Sequence, residues 1–253
     1  MTSGRAARQL ALPFPHAPGY GAAEFLPAGS NAAALAWLAS GDAWPQRRLA
    51  LFGPEGCGKT HLLHIWGARV GARMMSGPLL GMWPYPDSGL LDCPVAVDDA
   101  DAAAEQPLLH LLNAAGEAGL PVLLTGRAPP ARWNPVLPDL ASRLRAITAV
   151  GIGAAEDALL RSLLARLLAE RQLAVAEPVQ EWLRLLLPRA QGALREAVAR
   201  LDRAALAAGG RVTRALALEV AVGLDDETFG RLGPDENVTH GDVAVSPAGP
   251  RLL

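Results

Sequence analysis

At 253 residues, 51% of them apolar, the chain can bury a core for one large domain or two small ones. Its 23 basic and 25 acidic residues leave a net charge of −2 and a pI near 6.2. That balance argues against a broad, phosphate-driven grip on DNA, and no direct sequence-specific DNA binding is expected. No apolar run reaches the roughly 18 residues that span a bilayer, no secretory core follows Arg5 and Arg8, and Cys57 and Cys93 form neither a disulfide framework nor a metal spacing. The expectation is a reduced, cytoplasmic protein with no membrane partner.

Residues 1–21 are rich in Pro, Gly and Ala without a sustained period, as in a flexible arm. Within them, Gln9 to Phe14 reads QLALPF. Leu10, Leu12 and Phe14 alternate with smaller residues, and Pro13 and Pro15 forbid a helix. Such a segment, with Gln9 as polar anchor and three apolar plugs, suits docking into a partner's groove; a strand or strap across the chain's own core fits the same pattern. In Glu24 to Leu38, Ser30 or Asn31 can cap a helix that turns Leu35, Trp37 and Leu38 inward.

Leu49 to Phe52 is a short apolar run, read as a buried strand, and GPEGCGKT follows from Gly53 to Thr60. The spacing of Gly53, Gly58, Lys59 and Thr60 is that of a phosphate loop, with Gly56, Cys57 and His61 in or beside it, and a helix is predicted from Thr60 to about Arg73. Converging backbone N–H groups and a helix N-terminus attract phosphate. Lys59 adds a point charge for the outer phosphates, and the Thr60 hydroxyl is a ligand for Mg²⁺. The stretch from Met74 to Leu91, where Trp83 and Tyr85 sit among prolines, reads as a weak strand and surface loops.

Cys93 to Asp99 is a hydrophobic strand ending in two acids, the partner a phosphate loop needs. Asp98 would serve the metal and Asp99 polarise the attacking water. A helix over Gln106–Ala118 and a strand over Pro121–Thr125 come next, with Thr125 placed to sense the γ-phosphate or water. A short helix over Asp139–Arg145 and a last strand over Ile147–Ile152 complete an alternation that predicts a parallel sheet with helices on both faces. Four helices are then predicted, over Asp157–Gln172, Pro178–Leu187, Gln191–Ala208 and Thr213–Val222, forming an all-helical subdomain. From Asp225 a tail of net charge −4, rich in Pro and Gly, is expected to be disordered.

Phosphate loop, strand with two acids, strand ending in Thr, arginine-bearing segment and helical lid together resemble the AAA+ ATPases. Within them the segments FLPAGSN, GPEGCGKTHLLH, VAVDDAD, EAGLPVLLTGRAPP, LASRLR and GALREAVARLD are similar, in order, to those of the bacterial replication initiator DnaA. The resemblance covers about residues 22–224. It implies an α/β AAA+ domain over 22–152 and a lid over 153–224, with an arm over 1–21 and the acidic tail over 225–253. A DnaA-like core preceded by QL-x-L-P-F is similar to the Hda-like regulatory inactivators of DnaA. That likeness implies docking of Gln9, Leu10, Leu12 and Phe14 on the β subunit of the DNA polymerase sliding clamp, with DnaA as the second partner. It also implies ADP or ATP with Mg²⁺, Ser30 and Asn31 near the adenine, Arg195 reaching the chain's own nucleotide, and Arg143 as an arginine finger acting in trans, with Arg145 competing for that role. A homo-oligomer is left open. Arg127 departs from the pattern by standing where the initiator carries an acid, and weak or no intrinsic ATPase is the expectation.

Overall fold

In the computed structural model, residues 20–82, 91–187, 190–207 and 212–229 are described. The QLALPF segment, Trp83, Tyr85 and the tail beyond 229 lie outside them. Five strands form one sheet: β1 (Arg48–Phe52), β2 (Arg73–Ser76), β3 (Val95–Asp98), β4 (Val122–Gly126) and β5 (Thr148–Gly151). Their order is β2-β3-β4-β1-β5 and every pair is parallel, as the alternation of strands and helices predicts. β4 therefore stands between the strand that feeds the phosphate loop and the strand that ends in the acids.

The strands are apolar along both faces because helices cover both. Ala50, Val95, Val97, Val122 and Leu124 face one core, closed by Leu108, Leu111 and Leu112 of α3 (Glu105–Glu117) and by Leu140 and Leu144 of α4 (Pro138–Ala146). Leu49, Leu51, Ala96, Leu123 and Val150 face the other, against Leu38 of α1 (Ala32–Ala39) and Leu62, Leu63 and Trp66 of α2 (Lys59–Val70). Alternate residues of one strand thus serve opposite layers. The backbone closes α2 at Gly71, whose φ of 67° lets the Ala72 N–H return to the Gly67 carbonyl.

After Ile152 the chain builds a separate helical core. Leu159, Leu160, Leu163, Leu164, Leu167 and Leu168 of α5 (Asp157–Glu170) pack with α6 (Glu177–Leu186), α7 (Gln191–Ala207) and α8 (Arg214–Phe229). Pro138 and Pro178 stand in the first turns of α4 and α6, where a missing N–H costs nothing. α8 runs to Phe229 rather than stopping at Val222, so Asp225, Asp226 and Glu227, read above as tail, are helical. Between Arg214 and Phe229 no proline interrupts the helix, and Gly223 costs about 1 kcal/mol against Ala, too little to end it. No described helix is long and apolar enough to cross a membrane.

Candidate functional site

The loop from Gly53 to Gly58 links β1 to α2, and its glycines are required by what surrounds them. A Cβ on Gly53 would collide with the Ile152 carbonyl, and one on Gly56 would come within 2.7 Å of Ala190. Gly58 has φ 102° at the N-cap of α2, a conformation that side chains rarely adopt. The Lys59 ammonium, 8% exposed, donates to the carbonyls of Gly53 and Pro54, both at 2.9 Å. This clasp holds the charge at the mouth of the loop. Cys57 is buried beneath it, 3.9 Å from Lys59 Nζ, and burial pushes its thiol pKa up against the pull of that charge.

Across β4, the two acids are held by hydroxyl groups. Thr60 Oγ1 donates to Asp98 Oδ2 at 2.9 Å, and Thr125 Oγ1 donates to Asp98 Oδ1 at 2.5 Å. The same Thr125 oxygen accepts the Asp99 N–H at 3.0 Å. Thr125 has no solvent exposure, and its hydroxyl positions Asp98 and the Asp99 backbone. Asp99, just after β3, takes a left-handed conformation, φ 48°. Desolvation raises its pKa, and Asp98 and Asp101 add to the rise while Lys59 and Arg127 oppose it. Asp101 accepts the Arg127 N–H at 2.7 Å. This third acid was visible in the sequence as DDAD, but nothing in its spacing said that it would hold the end of β4.

The Thr60 hydroxyl and the Asp98 carboxylate supply two hard oxygen donors side by side. That set fits Mg²⁺, which completes its shell with phosphate oxygens and water. No cluster of three or more His, Cys, Asp or Glu side chains suited to a metal occurs among the described residues.

Of the residues expected near the adenine, Asn31 is buried and folded back: its Oδ1 accepts the Ala28 N–H at 2.9 Å and its Nδ2 donates to the Leu26 carbonyl at 3.1 Å. It makes no side-chain cap for α1, because the preceding turn consumes its amide. The Ser30 carbonyl accepts the Gly153 N–H at 2.9 Å, tying this turn to the link between sheet and helices. His61, also buried, lies 3.0 Å from the Gly21 carbonyl with Phe25 edge-on to its ring, and Phe25 borders Gly58. Tyr20 stacks on His64 at 4.2 Å, so the last two residues of the stretch read as an arm are anchored to α2. Burial lowers the His61 pKa, and Arg195 of α7 stands near enough to lower it further.

The helical group meets the loop directly. The Gln191 N–H donates to the Gly56 carbonyl at 3.3 Å, and the Gln191 amide lies at Gly58. The sequence gave no sign of this contact, which depends on how α7 docks. Arg143 and Arg145 sit far from it in role, on the last turn of α4. Arg143 is half-buried, its Nε hidden without a hydrogen-bond partner and its charge felt by Arg48 at the start of β1. Arg145 is exposed and rims an open cavity of about 200 Å³ with Pro130, Asn134, Pro135 and Ala141.

A five-stranded parallel sheet of this order, a phosphate loop after a central strand and a helical group resting on that loop define the AAA+ fold. Among solved structures with this fold, domain III of the replication initiation protein DnaA from Thermotoga maritima superposes with a TM-score of 0.68 at 19% identity, covering 83% of this chain and 99% of that one. A RuvB mutant from Thermotoga maritima gives 0.60 at 16% identity, over 81% of this chain and 72% of that one. AMPPCP-bound DnaA from Aquifex aeolicus gives 0.52 at 14%, over 85% and 95%. At such identities the likeness is one of fold. No protein-family model matches the chain, and no curated protein sequence does.

Proposed function

We propose that this chain is a DnaA-like AAA+ regulator of replication initiation. It binds adenine nucleotide, ADP or ATP with Mg²⁺, between the phosphate loop and α7, docks on the sliding clamp through Gln9, Leu10, Leu12 and Phe14, and stimulates ATP hydrolysis by DnaA. The observation that carries the nucleotide part is the network joining Thr60, Asp98, Thr125 and Asp99 beside the Lys59 clasp. The AMPPCP held by a DnaA of the same fold supports the adenine assignment. When bound, Mg²⁺ neutralises charge on the outer phosphates. Lys59 orients those phosphates, Thr60 and Asp98 hold the metal, and Asp99 accepts a proton from the attacking water at the strand end. Arg195 contributes from α7 to the chain's own site.

The trans-acting group is an arginine on the last turn of α4. Exposure favours Arg145 over Arg143, whose Nε is hidden. The clamp and DnaA parts rest on the QLALPF motif and on this pair of arginines. The test is capture of the chain on immobilised sliding clamp, with wild type retained and Gln9→Ala with Leu12→Ala lost, followed by DnaA turnover on clamp-loaded DNA. A chain that ignores the clamp and leaves DnaA turnover unchanged sinks this reading. The complete acid set at the loop favours a second reading, an ATPase that loads a helicase or remodels the replisome; robust turnover by the chain alone would support it.

A further inference from the structure

Beside the exposed arginine of α4 lies a depression that no role above uses. The turn over Pro130–Arg132 packs against α4, and Pro130, Ala131, Asn134, Pro135, Ala141 and Arg145 enclose about 200 Å³ open to solvent. The walls are proline rings and alanine methyls, and Asn134 adds an amide. Arg145 is the one charged group among the lining residues.

The charge here is uncompensated. Arg145 and Arg132 are exposed, and neither makes an ion pair among the described residues. Glu105 reaches this loop from α3, but its two carboxylate oxygens accept the Val136 and Leu137 N–H groups, both at 2.8 Å. Asp139 stands at the other end of α4, in its first turn. Small apolar walls beside one free guanidinium suit a carboxylate followed by a small apolar side chain. The chain carries such a segment after Phe229. From Leu232 to Pro250 it has three acids, Asp235, Glu236 and Asp242, and no lysine or arginine, and Val243-Ala244-Val245 follows Asp242. From Phe229 to Asp242 is about 13 residues, which extend at most roughly 45 Å, about the width of a domain of this size.

We infer that this depression is the docking site of the chain's own acidic segment, with Asp242 paired to Arg145 and Val243 against the proline and alanine walls. An exposed ion pair is weak alone, and attachment to α8 supplies the effective concentration that makes it count. The contact masks Arg145 until a partner displaces the segment. The masking stands on the depression and its charge; its effect on DnaA rests on the reading of Arg145 given above.

The test is the rate at which phenylglyoxal, an arginine reagent, labels Arg145 in the full chain. Peptide mass spectrometry reads it against Arg47, an exposed arginine outside the depression. Asp242→Asn should raise the Arg145 rate about threefold relative to Arg47, the scale of an exposed ion pair, and Asp242→Lys should raise it further. Raising the salt from about 0.1 M to about 1 M should do the same to wild type and little to Asp242→Asn. Equal rates in wild type and Asp242→Asn overturn the inference. So does a wild-type rate that climbs on about a hundredfold dilution, which assigns the protection to the segment of a second copy. Asp242 belongs to neither sheet layer nor the helical core, so its variants should melt with wild type, which separates unmasking from damage to the fold. Asp242→Asn should also increase stimulated DnaA turnover. Faster labelling without faster turnover supports the contact and counts against Arg145 as the trans-acting group.

Discussion

The phosphate-loop end of the sheet and the last turn of α4 treat their polar groups in opposite ways. At the loop, Lys59, Thr60, Asp98, Thr125 and Asn31 are each satisfied within the chain. On α4, Arg145 points into solvent and Arg143 keeps a buried Nε without a partner. A buried donor left unmade costs about 1–3 kcal/mol, so the second region is incomplete where the first is finished. A finished site is pre-organised to bind within one chain; an unfinished cationic edge gains its interaction only when a neighbour arrives.

The largest effect that could break this contrast is on a partner. Arg145→Ala should lower stimulated DnaA turnover about 10³-fold or more, the scale of an arginine finger, and leave the chain's own nucleotide affinity unchanged. Arg143→Ala should lower stimulation less. If Arg143→Ala alone abolishes it, the exposure argument has chosen the wrong arginine of the pair. Lys59→Ala acts at the other end: ligand at 100 times Kd contributes about 2.7 kcal/mol to wild type, and the variant should show almost no thermal shift with ADP.

Thr125→Val sharpens the same contrast without touching a ligand. It strands one oxygen of Asp98 and the Asp99 N–H, so denaturant unfolding should reveal a loss of about 1–3 kcal/mol. A Thr60→Val companion, removing one bond to a less buried hydroxyl, should lose less. The smallest effect is pH dependence at His61. Its folded pKa lies below the ordinary imidazole value near 6.5, so the unfolded chain takes up the proton first. Its contribution is complete above that value and is lost as pH falls from about 6.5 towards the lowered pKa. His61→Gln should flatten that limb of a stability profile measured between pH 7.5 and 5.

The sequence made the sheet legible because its signals are local. Gly53, Gly58, Lys59 and Thr60 are fixed by spacing, and Val95 to Val97 followed by Asp98 and Asp99 is a short apolar run with a polar stop. The helices after Asp157 carry their own period. What escaped is tertiary. The pattern around Thr125 offers a hydroxyl at a strand end, and only the distance to Asp98 shows which acid it positions. Asn31 reads as a helix cap, yet its amide turns back to Ala28 and Leu26. The acids from Asp225 to Glu227 have the composition of a tail, and only the helix continuing across Gly223 shows otherwise. Nothing in LASRLR separates the half-buried arginine from the exposed one, since the difference depends on how α4 packs in the folded chain.

One further consequence follows from the Lys59 clasp. Of the chain's 23 basic residues, Lys59 is the single lysine; the rest are arginines. Amine-acylating reagents therefore have two targets, the α-amino group and the ammonium held by Gly53 and Pro54. In the proposed nucleotide-bound state, phosphate at the loop would cover the second. The mass of the acylated protein, measured with and without nucleotide, becomes a count of occupied sites, readable in a mixture with DnaA and clamp because the labelled peptide contains GPEGCGKT and no other lysine.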